Sequence, residues 1–222
     1  IGLLTFAPVV RLAAQDAATV IQAAERDRES RNAVGALARY EAALQTMPSN
    51  YDLLWRAARE AVDLGEAAPD AQRRSQHNKS AEGYARRAIA ANPRGADGHF
   101  MLSVALGRTA LSVGSRERVR YAAEVRSAAL ETVKLEPKHA GALHVLGVWN
   151  AEVMRLNSLS RFAARNFLGG RIFDQASWAE ARRYMEAAVA ADPDRISHRL
   201  DLAKIYADNG DKPRARTVCE AA

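Results

Sequence analysis

Four prolines constrain this chain more than any other feature. Pro48, Pro93, Pro137 and Pro193 each stand three residues ahead of a segment with helical apolar spacing. Proline has no amide hydrogen and a fixed φ, so it stops the helix before it and is tolerated at the entrance of the next. The clearest segment is 141–150, GALHVLGVWN, where Leu143, Leu146, Gly147 and Asn150 fall at i, i+3, i+4 and i+7 and share one helix side. A glycine on that side marks the place where a second helix comes close. The chain therefore reads as a string of helical hairpins.

With Ala140 as position 1, the prolines bring Tyr51, Ala96 and Ile196 into the same register, and a small residue recurs at position 8 as Ala58, Ser103, Gly147 and Ala203. This pattern resembles the tetratricopeptide repeat, with a large residue at 4, Leu at 7, a small residue at 8, Ala at 20, an aromatic at 24 and Ala at 27. The last unit fits through Leu202, Ala203, Tyr206, Ala215, Cys219 and Ala222, which places Cys219 in the core. The first fits through Val20, Ala23, Ala24, Ala36, Tyr40 and Ala43. The expected fold is an all-α, tetratricopeptide-like helical-hairpin solenoid: ten helices in five hairpins, one domain over 16–222. The intervals between the prolines exceed the ~34-residue period. The surplus is expected at hairpin tips, as a loop over 66–78, a turn over 111–118 and the long insertion 156–178.

The run HVLGVWNAEVMRL, then SLSRFAARNFLGG and the later YMEAAVAADP, resembles bacterial members of the regulator of microtubule dynamics protein family over about 51–215, most specifically over 143–170. The resemblance implies a helical-repeat fold with insertions. It implies no reaction, and bacterial members have no microtubule partner to inherit.

Lys and Arg number 32 against 26 Asp and Glu, a net charge of +6. Arg116, Arg118, Arg120 and Arg126 alternate with Glu117 and Glu124, which reads as a solvated helix face and not as a surface tracking nucleic-acid phosphates. Residues 1–15 read in two ways. As the remnant of a signal peptide they place the protein in the periplasm or otherwise outside the cytoplasm; as a strap packed on the first repeat they leave it in the cytoplasm. The apolar run 1–10 is too short to span a bilayer, and peripheral association with a membrane complex is compatible with either reading. Asp16 is the expected cap of the first helix.

The five histidines, His77, His99, His139, His144 and His198, form no HExxH, and no GxSxG or GxxxxGK[ST] occurs. The sequence thus names no catalytic residue, cofactor or metal. Positions 2, 5, 9 and 12 of the first helices face a concave groove, which brings in Asp52, Trp55, Arg59, Asp97, Phe100, His144, Val148 and Lys204. A row of Trp55, Phe100 and His144 beside Arg59 and Lys204 suits a peptide or protein partner with apolar side chains and some acidic charge. The competing surface is the insertion, with Arg161, Phe162, Arg165, Phe167 and Phe173; alternatively it folds into the groove. The leading expectation is a non-enzymatic interaction module. The alternatives are an accessory subunit of a larger assembly and a small hydrolase or ligand-binding protein covered by 156–178.

Overall fold

In the computed structural model the described residues are 7–157, 160, 162, 164, 166 and 170–221, with side chains described from Asp16 onward. They form ten α-helices: α1 Ala7–Glu29, α2 Ala33–Thr46, α3 Tyr51–Ala67, α4 Ala71–Ala91, α5 Ala96–Ala110, α6 Ser115–Leu135, α7 Ala140–Arg155, α8 Trp178–Ala191, α9 Ile196–Asp208 and α10 Lys212–Glu220. A 3-10 turn, Arg171–Gln175, precedes α8, and no strand occurs among the described residues. The chain is organised as two compact units, within Ile1–Ala105 and Leu106–Ala222, with the division inside α5.

Helix starts follow local chemistry. The side chains of Asn32, Asn50, Asp70, Ser177 and Asp211 each accept a hydrogen bond from the backbone N–H three residues on, satisfying a donor the helix leaves open; His139 does the same through Nδ1. The Asp70 cap corrects one expectation. Residues 66–78 are not a loop, because Asp70 starts α4 at Ala71 and the surplus residues lengthen helices instead. Asp16 likewise caps nothing: α1 runs back to Ala7, its Pro8 in the first turn, where the missing N–H costs no intrahelical bond.

In the first unit α1 packs on α2, α2 on α3 and α3 on α4, and α1 also touches α3. In the second, α6 packs on α7, α7 on α8, α8 on α9 and α9 on α10, and α7 also touches α9. First helices thus meet first helices, as tetratricopeptide stacking requires. The register holds at the residue level. Positions 7, 8 and 11 are buried in α3 (Ala57, Ala58, Ala61), α5 (Leu102, Ser103, Leu106), α7 (Leu146, Gly147, Asn150) and α9 (Leu202, Ala203, Tyr206), as are Ala81, Ala85 and Ala88 of α4. At the α7–α8 contact, a Cβ on Gly147 would stand 3.0 Å from Met185 Cε and 3.2 Å from the Met185 backbone N. Cys219 departs from its expected place. The apolar residues of α10 that pack on the core cluster are Ala215 and Val218, and the thiol is exposed.

Gly83 is the opposite case from Gly147. It lies in the interior of α4 with nothing within 4 Å of its Cβ position. Gly83→Ala is expected to stabilise the protein by about 0.5–1 kcal/mol, because alanine has less backbone freedom to lose. Chemical denaturation checks this; a destabilised variant would show that α4 has a close neighbour at Gly83.

Candidate interaction surfaces on the inner helix faces

Within the first unit, the inner face of α3 is built around Trp55, half-buried, with the Arg56 guanidinium 4.0 Å and that of Arg59 5.5 Å from its ring centroid. Both are within cation–π range. Asp52, exposed at the start of α3, accepts from Arg56 at 2.8 Å and from Trp55 Nε1 at 3.4 Å. Arg59 reaches across to α1, donating to Glu25 at 2.6 Å and to Glu60 at 2.9 Å. Glu60 is fully buried and receives Arg28 of α1 as well, at 2.8 and 3.0 Å, while Arg28 also bonds Asp63 at 2.6 Å. Tyr40, fully buried, donates to Glu25 at 3.0 Å. Burial pushes the Glu25 carboxyl up, but the Arg59 hydrogen bond and charge, with Tyr40 and Arg56, outweigh it and hold the group below the usual carboxylate range. Asp97 and Phe100 of α5 are half-buried in the same unit.

Within the second unit, the inner faces of α7 and α9 meet through His144. Its Nε2 lies 2.8 Å from Asp201 Oδ2, and its ring stacks on His198 with centroids 4.6 Å apart and planes 22° from parallel. Lys204 donates to the other Asp201 oxygen at 2.8 Å. The His144 hydrogen bond, with Lys204, pulls the Asp201 carboxyl down to about 2 against its burial. Val148 is half-buried, while Leu200, at position 5 of α9, is 40% exposed and Ile196 55% exposed.

Among the expected groove residues, the cations are already paired, and Val148 packs on the core cluster of the second unit. Arg59 holds Glu25 and Glu60, and Lys204 holds Asp201, so the acidic preference inferred from those two charges loses its basis. Asp201, His198, Glu25 and Glu60 were not anticipated at these positions. A signal for the first pair existed, since His144 at position 5 and residues at positions 3 and 6 of the next first helix become neighbours once first helices stack.

The described residues 170–177 of the insertion are anchored on α6 and α7. Phe173, expected on an outer surface, is 7% exposed and meets the edge of Trp149 with centroids 6.1 Å apart, because Trp149 is pinned by its Nε1 donating to the Ala122 carbonyl at 2.8 Å. A Cβ on Gly170 would stand 2.9 Å from the Ala164 carbonyl and 3.3 Å from Val119 of α6. The Ser177 N–H donates to Asn150 Oδ1 at 3.2 Å. Phe162 is 58% exposed. Arg161, Arg165 and Phe167 lie outside the described residues. The α6 arginines serve local ends: Arg118 donates to the carbonyls of Ala110 and Val113 at the close of α5, Arg126 lies 5.2 Å from the Trp149 ring centroid and Arg120 5.2 Å from that of Tyr121. Among the described residues no three His, Cys, Asp or Glu side chains are placed to hold a metal, and no helix is long and apolar enough to cross a membrane.

A family model described as regulator of microtubule dynamics protein 1-3 matches residues 15–222. Regulator of microtubule dynamics protein 1 of Bos taurus is 24% identical over 152 residues, which cover 68% of this chain and 47% of the bovine protein, so the chain spans about half the length of that relative. Among solved structures, the tetratricopeptide protein TTC0263 of Thermus thermophilus superposes with a TM-score of 0.66 at 20% identity, covering 90% of this chain and 86% of that one. PilF of Pseudomonas aeruginosa superposes with a TM-score of 0.62 at 18% identity, covering 94% and 76%. These two likenesses concern the fold.

Proposed function

We propose, from the premise that the chain belongs to the regulator of microtubule dynamics protein 1-3 family, that it works as a non-enzymatic interaction module whose inner helix faces hold an apolar segment of a peptide or protein partner. The observation that carries this reading is a contrast along the same helices. Positions 7, 8 and 11 are buried in hairpin packing, whereas position 5 keeps Trp55, Phe100 and His144 half-buried and Leu200 exposed. Large apolar side chains that a rigid helix face holds only partly buried, here Trp55, Phe100 and Leu200, are what an anchor site for a partner needs, whereas His144 is engaged by Asp201 and His198. The paired state of Arg59 and Lys204 supports recognition by apolar contact over recognition by charge. The bovine relative's name ties that protein to microtubule dynamics; the partner of this chain is proposed by its chemistry alone.

The test is a quantitative pull-down from the native source, comparing Trp55→Ala, Phe100→Ala and Leu200→Asp with Phe162→Ala. Losing one anchor is expected to weaken capture by roughly thirtyfold, which corresponds to about 2 kcal/mol. Melting should be little changed for Leu200→Asp, Phe162→Ala should capture normally, and raising the salt should weaken capture only slightly. Normal capture by all three inner-face variants, with loss in Phe162→Ala, would move the site to the insertion.

A further inference from the structure

His198 is the least conventionally placed ionisable group in the second unit. The residue is 4% exposed, its Nδ1 is buried without a hydrogen-bond partner, and its ring lies flat on that of His144. His144 in turn reaches Asp201, so three groups join α7 to α9, the first helices of consecutive repeats. The charged surroundings are few. His144 faces His198 from α7, Asp192 and Arg195 face it from the turn between α8 and α9, and the Ala188 carbonyl approaches from α8. Asp201 faces His144 from α9 and also holds Lys204.

We propose that the stacked His144–His198 pair, fastened to Asp201, is an acid-sensitive clasp that keeps the α9–α10 hairpin docked on α7 and loosens it when the surroundings become mildly acidic. A proton on His198 would place a charge in a site with no acceptor at Nδ1, against a second imidazole that is itself able to carry charge. The alternative for the chain is to open, let water reach the ring and protonate there. Burial, then the neighbouring His144 and Arg195, hold the folded His198 below its ordinary value of 6.5. The sign follows. The open form takes up its proton as the pH falls through about 6.5 while the docked form does not, so the contribution of His198 to docking is complete above that pH and is lost below it. Asp201 stays ionised throughout this window, since its own loss of charge lies at about 2. The hairpin that would open also lies at the low-burial end of its unit: α10 has no buried residue.

The test is residue-resolved hydrogen exchange on the full chain at pH 7.5 and pH 5.5, with rates corrected for the intrinsic effect of pH. In the native protein the opening equilibrium of α9 and α10 is expected to rise by up to about tenfold on acidification, the ceiling for one imidazole of ordinary affinity that stays neutral when docked. Amides of α3 serve as the internal reference and should not show this rise. His198→Leu should abolish the rise. His144→Gln, which keeps a donor to Asp201 but removes the stacked imidazole, should reduce it and guards against a His198 variant that does not fold. An unchanged equilibrium in the native protein, an equal rise in α3, or a full rise in His144→Gln would overturn the clasp.

Discussion

Glu60→Ala is expected to lower the unfolding free energy by about 2–3 kcal/mol. A carboxylate that is fully buried and hydrogen-bonded by two guanidiniums leaves both of them without their shared partner when it is removed. Breaking a buried ion pair typically costs about 3–5 kcal/mol. The value here falls below that range because Arg28 retains Asp63, Arg59 retains Glu25, and the Arg28 side chain is 35% exposed. Arg28→Ala should also destabilise, and the double variant should lose less than the sum of the two, since each single change strands the other's partner. Urea denaturation of the four proteins gives the coupling directly. Strict additivity, or a Glu60→Ala loss below about 1 kcal/mol, would mean that Glu60 is not the centre of the charged contact between α1 and α3. Raising the salt should rescue little, because screening acts weakly on buried charges.

Gly147→Leu is the second large effect. The Met185 backbone N lies 3.2 Å from where a Cβ would stand, and backbone cannot swing aside as a side chain can. Overpacking of this kind typically costs about 1–3 kcal/mol, and a leucine that must separate α7 from α8 belongs at the upper end. Gly147→Ala should cost less, since it brings the same Cβ against Met185 without the three further carbons that leucine must place between α7 and α8. Met185→Ala combined with Gly147→Leu should recover part of the loss by opening space. Unchanged melting in Gly147→Leu would contradict the register that places position 8 at the helix contact.

The two variants differ in how far the sequence foresees them. Gly147 is legible because hairpin packing is a local and repeated problem. Every repeat needs a small residue where its two helices approach, and the prolines mark where each repeat begins, so counting from Pro137 is enough to find it. The same logic locates the buried residues at positions 7 and 11 and the half-buried Trp55, Phe100 and His144 at position 5. Glu60 cannot be found in this way. It sits on a helix with Asp63 three residues on, a spacing that solvated helices produce routinely, and only the packing of α1 on α3 brings Arg28 across to bury and pair it. The 66–78 segment departs from its sequence reading for a related reason: its polar composition looks like a loop, yet the Asp70 cap and the burial of Ala81, Ala85 and Ala88 in an α4 that packs on α3 make all but 68–70 helix.

What the sequence by itself determined is the kind of structure and its register, because proline placement, helix caps and small residues at fixed spacing act over a few turns of chain. What the tertiary structure alone decided is the electrostatic character of the inner faces. Whether an arginine is a free cation or half of a pair depends on which carboxylate a neighbouring helix delivers within about 3 Å, and interaction energies between charges change severalfold with that distance and with burial. Arg59, Lys204 and His144 could each have been a contact for a partner. Stacking of first helix on first helix gave Arg59 the Glu25 carboxylate and His144 the Asp201 carboxylate and the His198 ring, and Lys204 bonds that same Asp201 from one turn along α9.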